Sequence, residues 1–258
     1  IEALSPELQD KLMKDWCDPK KPKLYANCIS ESDAGSDMAS MRATAKLEGD
    51  EWVINATKEF ISNGGVASLY RVHASIDRSQ KAAGIRIFAV PADTPGITVA
   101  TPEDKMGFRS SQTAEISFNN VRVPKDYLLI KPHSHLAQAR TLTTGGIANG
   151  MARAAYETAV NYFKENPDRK KAALNHQLIS FKLADMAMLL EASRLMVWRT
   201  AWFLDRFPPA IPEASMCKAF CSEAAMKIIT EALQLLGLHG YKETTNIEKC
   251  FRDVKLLS

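Results

Sequence analysis

The stretch Cys28 to Arg42, CISESDAGSDMASMR, concentrates hydroxyls, acids and small residues immediately before strand-like sequence. Two chemistries fit such a segment. It can be a surface turn, or a loop lying against a flat ligand. Gly35 would let backbone come close to such a ligand, because a glycine has no Cβ to hold it off. The five cysteines, Cys17, Cys28, Cys217, Cys221 and Cys250, suggest less chemistry. Their odd number and wide spacing do not make a disulfide framework, so a reducing compartment is expected. Cys217 and Cys221 share one face of an expected helix. With no further ligands nearby they read as buried thiols rather than a metal site. His73 and His239 read as surface or bundle-end residues.

The composition that must position these groups is that of an ordinary soluble globular protein, with 46% apolar and 24% charged residues in a chain of 258. That length suits one large or two smaller domains. The 33 basic and 30 acidic residues nearly cancel, leaving a net charge of +3. This balance gives no general attraction to nucleic acid or to an anionic membrane. Lys20-Lys21-Pro22-Lys23 and Arg169-Lys170-Lys171 read as solvated surface. No apolar run approaches the ~20 residues needed to span a bilayer. The first residue is Ile and no signal-peptide pattern follows, so a fragment located in the cytoplasm is expected.

The hydrophobic period changes along the chain. Ser5-Pro6-Glu7 followed by Leu8, Leu12 and Met13 predicts a short helix within residues 1–23. From Leu24 to Pro124 the period is two. Ala43 to Leu47 and Trp52 to Asn55 flank the turn Glu48-Gly49-Asp50-Glu51 and predict a hairpin. Leu69 to Ala74, Gly84 to Val90, Ile97 to Ala100 and Ala114 to Val123 predict further strands. Asn63-Gly64-Gly65, Asp93-Thr94-Pro95-Gly96 and Asn119-Asn120 separate them. Many short strands without intervening helices suggest an antiparallel, barrel-like or sandwich domain. Beyond Leu136 the period is helical. Helices are expected from Gly146 to Lys164, from Leu178 to Phe207, and from Pro212 to a C-cap at Gly237, with another after Gly240. Trp198 and Trp202 form a helical stripe expected in the core. The fold class is α+β, with a strand domain followed by a four-helix bundle.

Several ordered motifs then resemble the acyl-CoA dehydrogenase family of flavoproteins. Cys28 to Asp37 is similar to its [TS]-E-P-x-A-G-S-D signature, with Ser32 in place of the Pro. Lys58 to Gly64 resembles K-x-[WF]-I-[TS]-N-G. Asp93 to Gly96, Met106 to Ser111 and Val121 to Pro124 match D-T-P-G, M-G-x-R-x-S and V-x-V-P. His176 to Met186 and Phe251 to Lys255 fit the bundle signatures. The resemblance implies the end of an N-terminal helical domain at 1–23, a β-domain at 24–130 and a helix bundle at 131–258.

The resemblance also implies a cofactor, FAD, and a set of residues around it. Ser30 and Ser62 would face the polar edge of the isoalloxazine, Phe60 its plane, and Cys28 and the Gly35-Ser36 backbone the neighbouring surface. Gln177, Gln234 and Gly237 would complete the cofactor site. Ser36 and Arg140 would hold the acyl-CoA substrate. The implied reaction is α,β-dehydrogenation of an acyl-CoA thioester, with electrons passed to an electron-transfer flavoprotein, in a homotetramer or in a heteromer with a related subunit. If the source is eukaryotic, the family implies the mitochondrial matrix.

The pattern also has departures. The family's catalytic Glu is expected beyond Ser258, and the position used by a subset of the family is Ala139. The R-x-x-F-G segment reads Asn166-Pro167-Asp168-Arg169-Lys170, and Q-x-x-G-G reads Gln234-Leu235-Leu236-Gly237-Leu238. These departures leave open a non-catalytic subunit, or a flavin-dependent acyl-CoA enzyme of different chemistry.

Overall fold

The computed structural model describes residues 6–8, 10, 18–35, 37–129 and 134–258, with 134–140 described by backbone alone. These residues divide into two compact units at about Pro132, and the short stretch Met106–Phe108 belongs to the second.

The first unit is a mixed sheet of strands β1 (Tyr25–Cys28), β2 (Thr44–Glu48), β3 (Glu51–Ser62), β4 (Leu69–Ser75), β5 (Ile85–Pro91), β6 (Ile97–Val99), β7 (Thr113–Pro124) and β8 (Leu128–Leu129). The order is β6-β7-β3-β2-β4-β5-β8, with β1 beside β4. The hairpin around Gly49 forms as its sequence predicts. Gly49 is left-handed (φ 62°), and β2 pairs antiparallel with β3 from Glu48↔Glu51 to Thr44↔Asn55. Most ladders are antiparallel, as expected, but β1 and β2 both pair parallel to β4. These are long-range pairings that no local turn encodes. Trp52 packs edge-on against Phe88 and Tyr70 against Phe118, within a core that includes Ile54, Val72, Val90, Ile116 and Val121. His73, expected at the surface, is instead buried on β4, where its ring nitrogen lies 3.2 Å from Asn27 Oδ1. The predicted N-terminal helix falls largely outside the described residues. Pro6–Leu8 and Asp10 are helical, and Leu8 is buried with the sheet core.

The second unit holds helices α1 (Ser134–Lys164), α2 (Pro167–Asn175), α3 (Gln177–Arg206), α4 (Ile211–Leu236) and α5 (Ile247–Val254). α1, α3 and α4 bury a common core of Ala148, Ala152, Ala155, Ala159, Met186, Leu190, Ile228 and Ile229, and α5 adds Ile247 and Val254. Small residues dominate the α1 face, so α1 and α4 approach closely. A Cβ on Gly145 would lie 2.7 Å from Cys217 Sγ. Cys217 and Cys221 are buried with their sulfurs 3.9 Å apart, as expected of core thiols. α2 was not expected; Asn166 caps it by accepting from the N–H groups of Asp168 and Arg169, with Pro167 in the first turn. Trp198 and Trp202, expected in the core, are instead exposed by 63% and 49%. They share an outward stripe of α3 with Phe181, Met188 and Leu195. The α3 core face is carried instead by Met186, Leu190, Ser193 and Thr200. Among the described residues no helix is long and apolar enough to cross a membrane.

Candidate functional site

The loop after β1 is fixed by a buried ion pair. Lys58 on β3 is fully buried, and its Nζ donates to Glu31 Oε1 at 2.7 Å and to the Ile29 carbonyl at 3.0 Å. Glu31 also accepts the Arg42 and Ala43 N–H groups at 2.6 and 3.1 Å. Its carboxylate therefore joins both ends of the loop to the middle of β3. Burial lowers the Lys58 pKa, and the hydrogen bond and charge of Glu31 oppose that shift. Burial likewise pushes the neighbouring Cys28 thiol up to about 12 against the pull of Lys58, so Cys28 is a neutral packing residue at neutral pH.

Reciprocal backbone bonds between Glu31 and Ala34, both 3.1 Å, close a tight turn with Ser32 and Asp33 at its tip. Ser32 thus occupies the second turn position, where Pro is at home and Ser is tolerated. The Ser-for-Pro departure leaves the turn intact. Gly35 is exposed, and a Cβ there would meet no protein atom within 4 Å. Among the described residues nothing demands glycine at 35, and the space above it is open.

β3 then presents Phe60. Pairing with β7 runs Lys58↔Ile116 and resumes at Ile61↔Ala114, so Glu59 and Phe60 together oppose one residue in a β-bulge. Phe60 is left-handed (φ 53°) and 66% exposed. Holding a bulky residue there costs on the order of 1–3 kcal/mol, and the protein itself gains no core packing from it. Ser62 is also exposed. The Glu59 N–H donates to the Ser30 carbonyl at 2.9 Å, and Asn63 Nδ2 donates to the Tyr25 carbonyl at 3.0 Å. Residues 25–30 therefore run along 59–63 in the opposite direction. Ser30 lies beside Glu59, and Ser62 lies three residues on, roughly 10 Å along the strand at ~3.3 Å per residue. The two serines flank Phe60 rather than touch each other.

The remaining expected site residues belong to the second unit or lie outside the described structure. Gln177 is exposed at the start of α3. Gln234 is exposed in the last turn of α4, where its carbonyl accepts the Gly237 N–H. Gly237 is the left-handed C-cap (φ 55°), and a Cβ there would meet open space. Among the described residues no hydrogen bond joins Gln177 to Gln234. Leu238, in place of a second glycine, is 83% exposed. Ser36 and the Arg140 side chain lie outside the described residues. Arg169 folds back on its own bundle, with its guanidinium 4.2 Å from the centre of the Tyr162 ring. The stretch Met106–Phe108 is held by α5: Asp253 accepts the Phe108 N–H at 2.6 Å, and Arg252 donates to the Met106 carbonyl at 2.9 Å.

Sequence reasoning missed Glu31 and Lys58 as positioning residues, although both stand within the quoted motifs. Their only signal is a charge at a strand position facing the core.

An exposed aromatic side chain with a serine on either side of it along the strand, and open space at a glycine turn, fits a flat heteroaromatic group such as the flavin of FAD. Comparison with known proteins agrees. The family profile of the acyl-CoA dehydrogenase middle domain matches residues 26–121, and that of the acyl-CoA dehydrogenase C-terminal domain matches residues 133–258. Human mitochondrial short-chain specific acyl-CoA dehydrogenase is 42% identical over 240 residues, covering 91% of this chain and 58% of the relative. Butyryl-CoA dehydrogenase of Megasphaera elsdenii superposes with a TM-score of 0.85 at 35% identity, over 91% of this chain and 63% of that one. An FAD-dependent dehydrogenase superposes at 0.90 with 28% identity, over 99% and 70%. The chain spans about three-fifths of the length of the curated relative.

Proposed function

Because this chain belongs to the acyl-CoA dehydrogenase family, we propose that it forms the β-domain and helix bundle of an FAD-dependent enzyme that dehydrogenates an acyl-CoA thioester between its α and β carbons. The observation that carries this reading is the exposed Phe60 in its left-handed bulge, between Ser30 and Ser62, on a strand tied to the 28–34 loop by Lys58 and Glu31.

In this reading Phe60 lies against the ring plane, and the Ser30 and Ser62 hydroxyls orient its edge. A hydroxyl bond contributes only about 1 kcal/mol net, so the serines act by orientation and redox tuning more than by affinity. Gln177, Gln234 and Gly237 hold the remainder of the cofactor, and Ser36 and Arg140 hold the substrate. Bound FAD supplies acceptance of the β-hydride. Hydrogen bonds to the thioester carbonyl acidify the α-carbon by stabilising enolate-like charge. Electron-transfer flavoprotein is the electron acceptor of this reading. The exposed apolar stripe of α3 supports assembly with further copies of this chain or with a related subunit.

Purification with added FAD followed by anaerobic mixing with short-chain acyl-CoA tests the proposal. Bleaching of the flavin band is expected; a colourless protein that takes up no FAD overturns it. A second reading, a non-catalytic subunit of the same fold, is favoured by the exposed Leu238 and by Arg169 folded onto Tyr162. It predicts flavin reduction only in the presence of a partner subunit.

A further inference from the structure

The first unit holds a recess beside the end of β4. It is about 230 Å³, below the ~300–1,000 Å³ of a whole-ligand pocket, and is lined by Ser40, Met41, Ser75, Arg78, Lys81 and Ile85, with Ala39 at its edge. Ser75 ends β4. Its N–H donates to the Ala43 carbonyl at 2.9 Å, but its hydroxyl is buried without a partner, and the residue is only 4% exposed. A buried donor left unpaired is costly unless something fills the role.

The charges beside it are cationic and uncommitted. Arg78 and Lys81 stand on the 3₁₀ stretch Arg78–Gly84, and neither pairs with a carboxylate among the described residues. Asp77 and Asp37, which cap the 3₁₀ stretches that supply the lining, are already engaged. Asp77 accepts from the Ser79 N–H and hydroxyl and from Gln80 Nε2, and Asp37 accepts from the Ala39 N–H and the Ser40 hydroxyl. Lys81 is held in a left-handed conformation (φ 50°), a strained position for its residue type.

We propose that this recess is a phosphate-binding site, taking one terminal phosphate group between Arg78, Lys81 and the Ser75 hydroxyl. A guanidinium fork, a mobile ammonium and a buried hydroxyl donor match the three oxygens of a phosphate monoester. Its volume suits one tetrahedral anion and rejects a whole nucleotide. The source of the phosphate is either the ribose phosphate of a CoA thioester or free phosphate, and only the first source rests on the acyl-CoA reading.

The test uses the flavin-loaded protein with two probes. Inorganic phosphate is titrated by calorimetry, and a short acyl-CoA is compared with the same thioester lacking its ribose phosphate. Arg78→Gln with Lys81→Gln should weaken phosphate binding about tenfold or more. Ser75→Ala should weaken it about threefold, yet leave unchanged or raise the melting temperature without phosphate. A purely structural serine would lower that temperature. Weaker binding of the dephosphorylated thioester, with the difference abolished in the double variant, assigns the site to the substrate. Equal binding of the two thioesters alongside saturable phosphate binding assigns it to free phosphate. Phosphate binding that persists in a protein unable to reduce its flavin leaves the site standing while the enzyme reading fails. If wild-type protein discriminates neither probe, or if the variants bind as wild type does, the site is refuted.

Discussion

Replacing Lys58 by Met, or Glu31 by Gln, isolates the contact that fixes the candidate site. Each single change strands one member of a pair whose side chains are 0% and 6% exposed. Breaking such a pair on one side costs about 3–5 kcal/mol. At about 2–4 °C per kcal/mol for a unit of this size, the melting point should fall by roughly 6–20 °C. The two variants should differ. Lys58→Met leaves Glu31 its two backbone donors, Arg42 and Ala43. Glu31→Gln leaves a buried ammonium with neutral acceptors alone, the Ile29 carbonyl and the amide oxygen at 31, and no counter-charge. Burial already lowers the Lys58 pKa, and removing the carboxylate lowers it further. Between that depressed value and the unfolded value near 10.4, the unfolded chain binds more protons, so stability of Glu31→Gln should rise with pH in that window. Calorimetry and urea melts of both singles and the double variant, from pH 6 to 9.5, measure this. Single variants that melt within about 2 °C of wild type, or a double variant whose loss is the plain sum of the singles, would refute the coupling.

Other outcomes follow from the same geometry. Phe60→Gly should stabilise the flavin-free protein by about 1 kcal/mol by relieving the left-handed bulge, while weakening FAD binding as measured by flavin release. Gly145→Ala should destabilise by roughly 1–3 kcal/mol through overpacking onto Cys217, with Cys217→Ala restoring most of the loss in thermal melts. For Asp253, burial alone would raise the pKa. It is outweighed by the hydrogen bonds of Lys249 and the Phe108 N–H and by the charges of Lys249 and Arg252, so the value lies below the usual range. That stability is present above about pH 3.9 and is lost as pH falls through the folded value. Asp253→Asn should therefore flatten the acid limb of the stability profile below about pH 4.

The locally encoded elements were legible in the sequence. Gly49 and its acidic neighbours announce the β2–β3 hairpin, Pro208-Pro209 separates α3 from α4, and Gly237 ends α4 as a left-handed cap. Elements that depend on distant partners were not. The parallel pairing of β1 and β2 with β4 joins segments whose turns say nothing of each other. The sequence pattern places the start of α1 at Gly146, twelve residues after its actual start at Ser134, because Gly145 and Gly146 disfavour helix and only tertiary packing overrides them. Asn166-Pro167 reads equally as a stop and as the cap and first turn of a new helix, and the structure uses it as the latter. The tryptophan stripe of α3 has the same period whether it faces inward or outward, so periodicity could not choose between them. At the candidate site, the motifs gave Phe60 and the serines. Lys58 keeps the inward phase of Trp52 and Ile54 across the first register slip, whose extra residue lies on β7, but its partner Glu31 stands 27 residues away and no local pattern encodes their pairing.

That slip makes chain length, more than residue identity, the quantity β3 cannot change. Its pairing with β7 shifts once between Ile54 and Ala56 and again between Lys58 and Ile61. Removing a single residue between these points would reverse the side-chain alternation that follows. Lys58 would swing toward solvent, the 28–34 loop would lose its tether, and the phenyl ring would turn toward the sheet interior. Variation in this strand should therefore proceed by substitution alone, with single-residue indels eliminated.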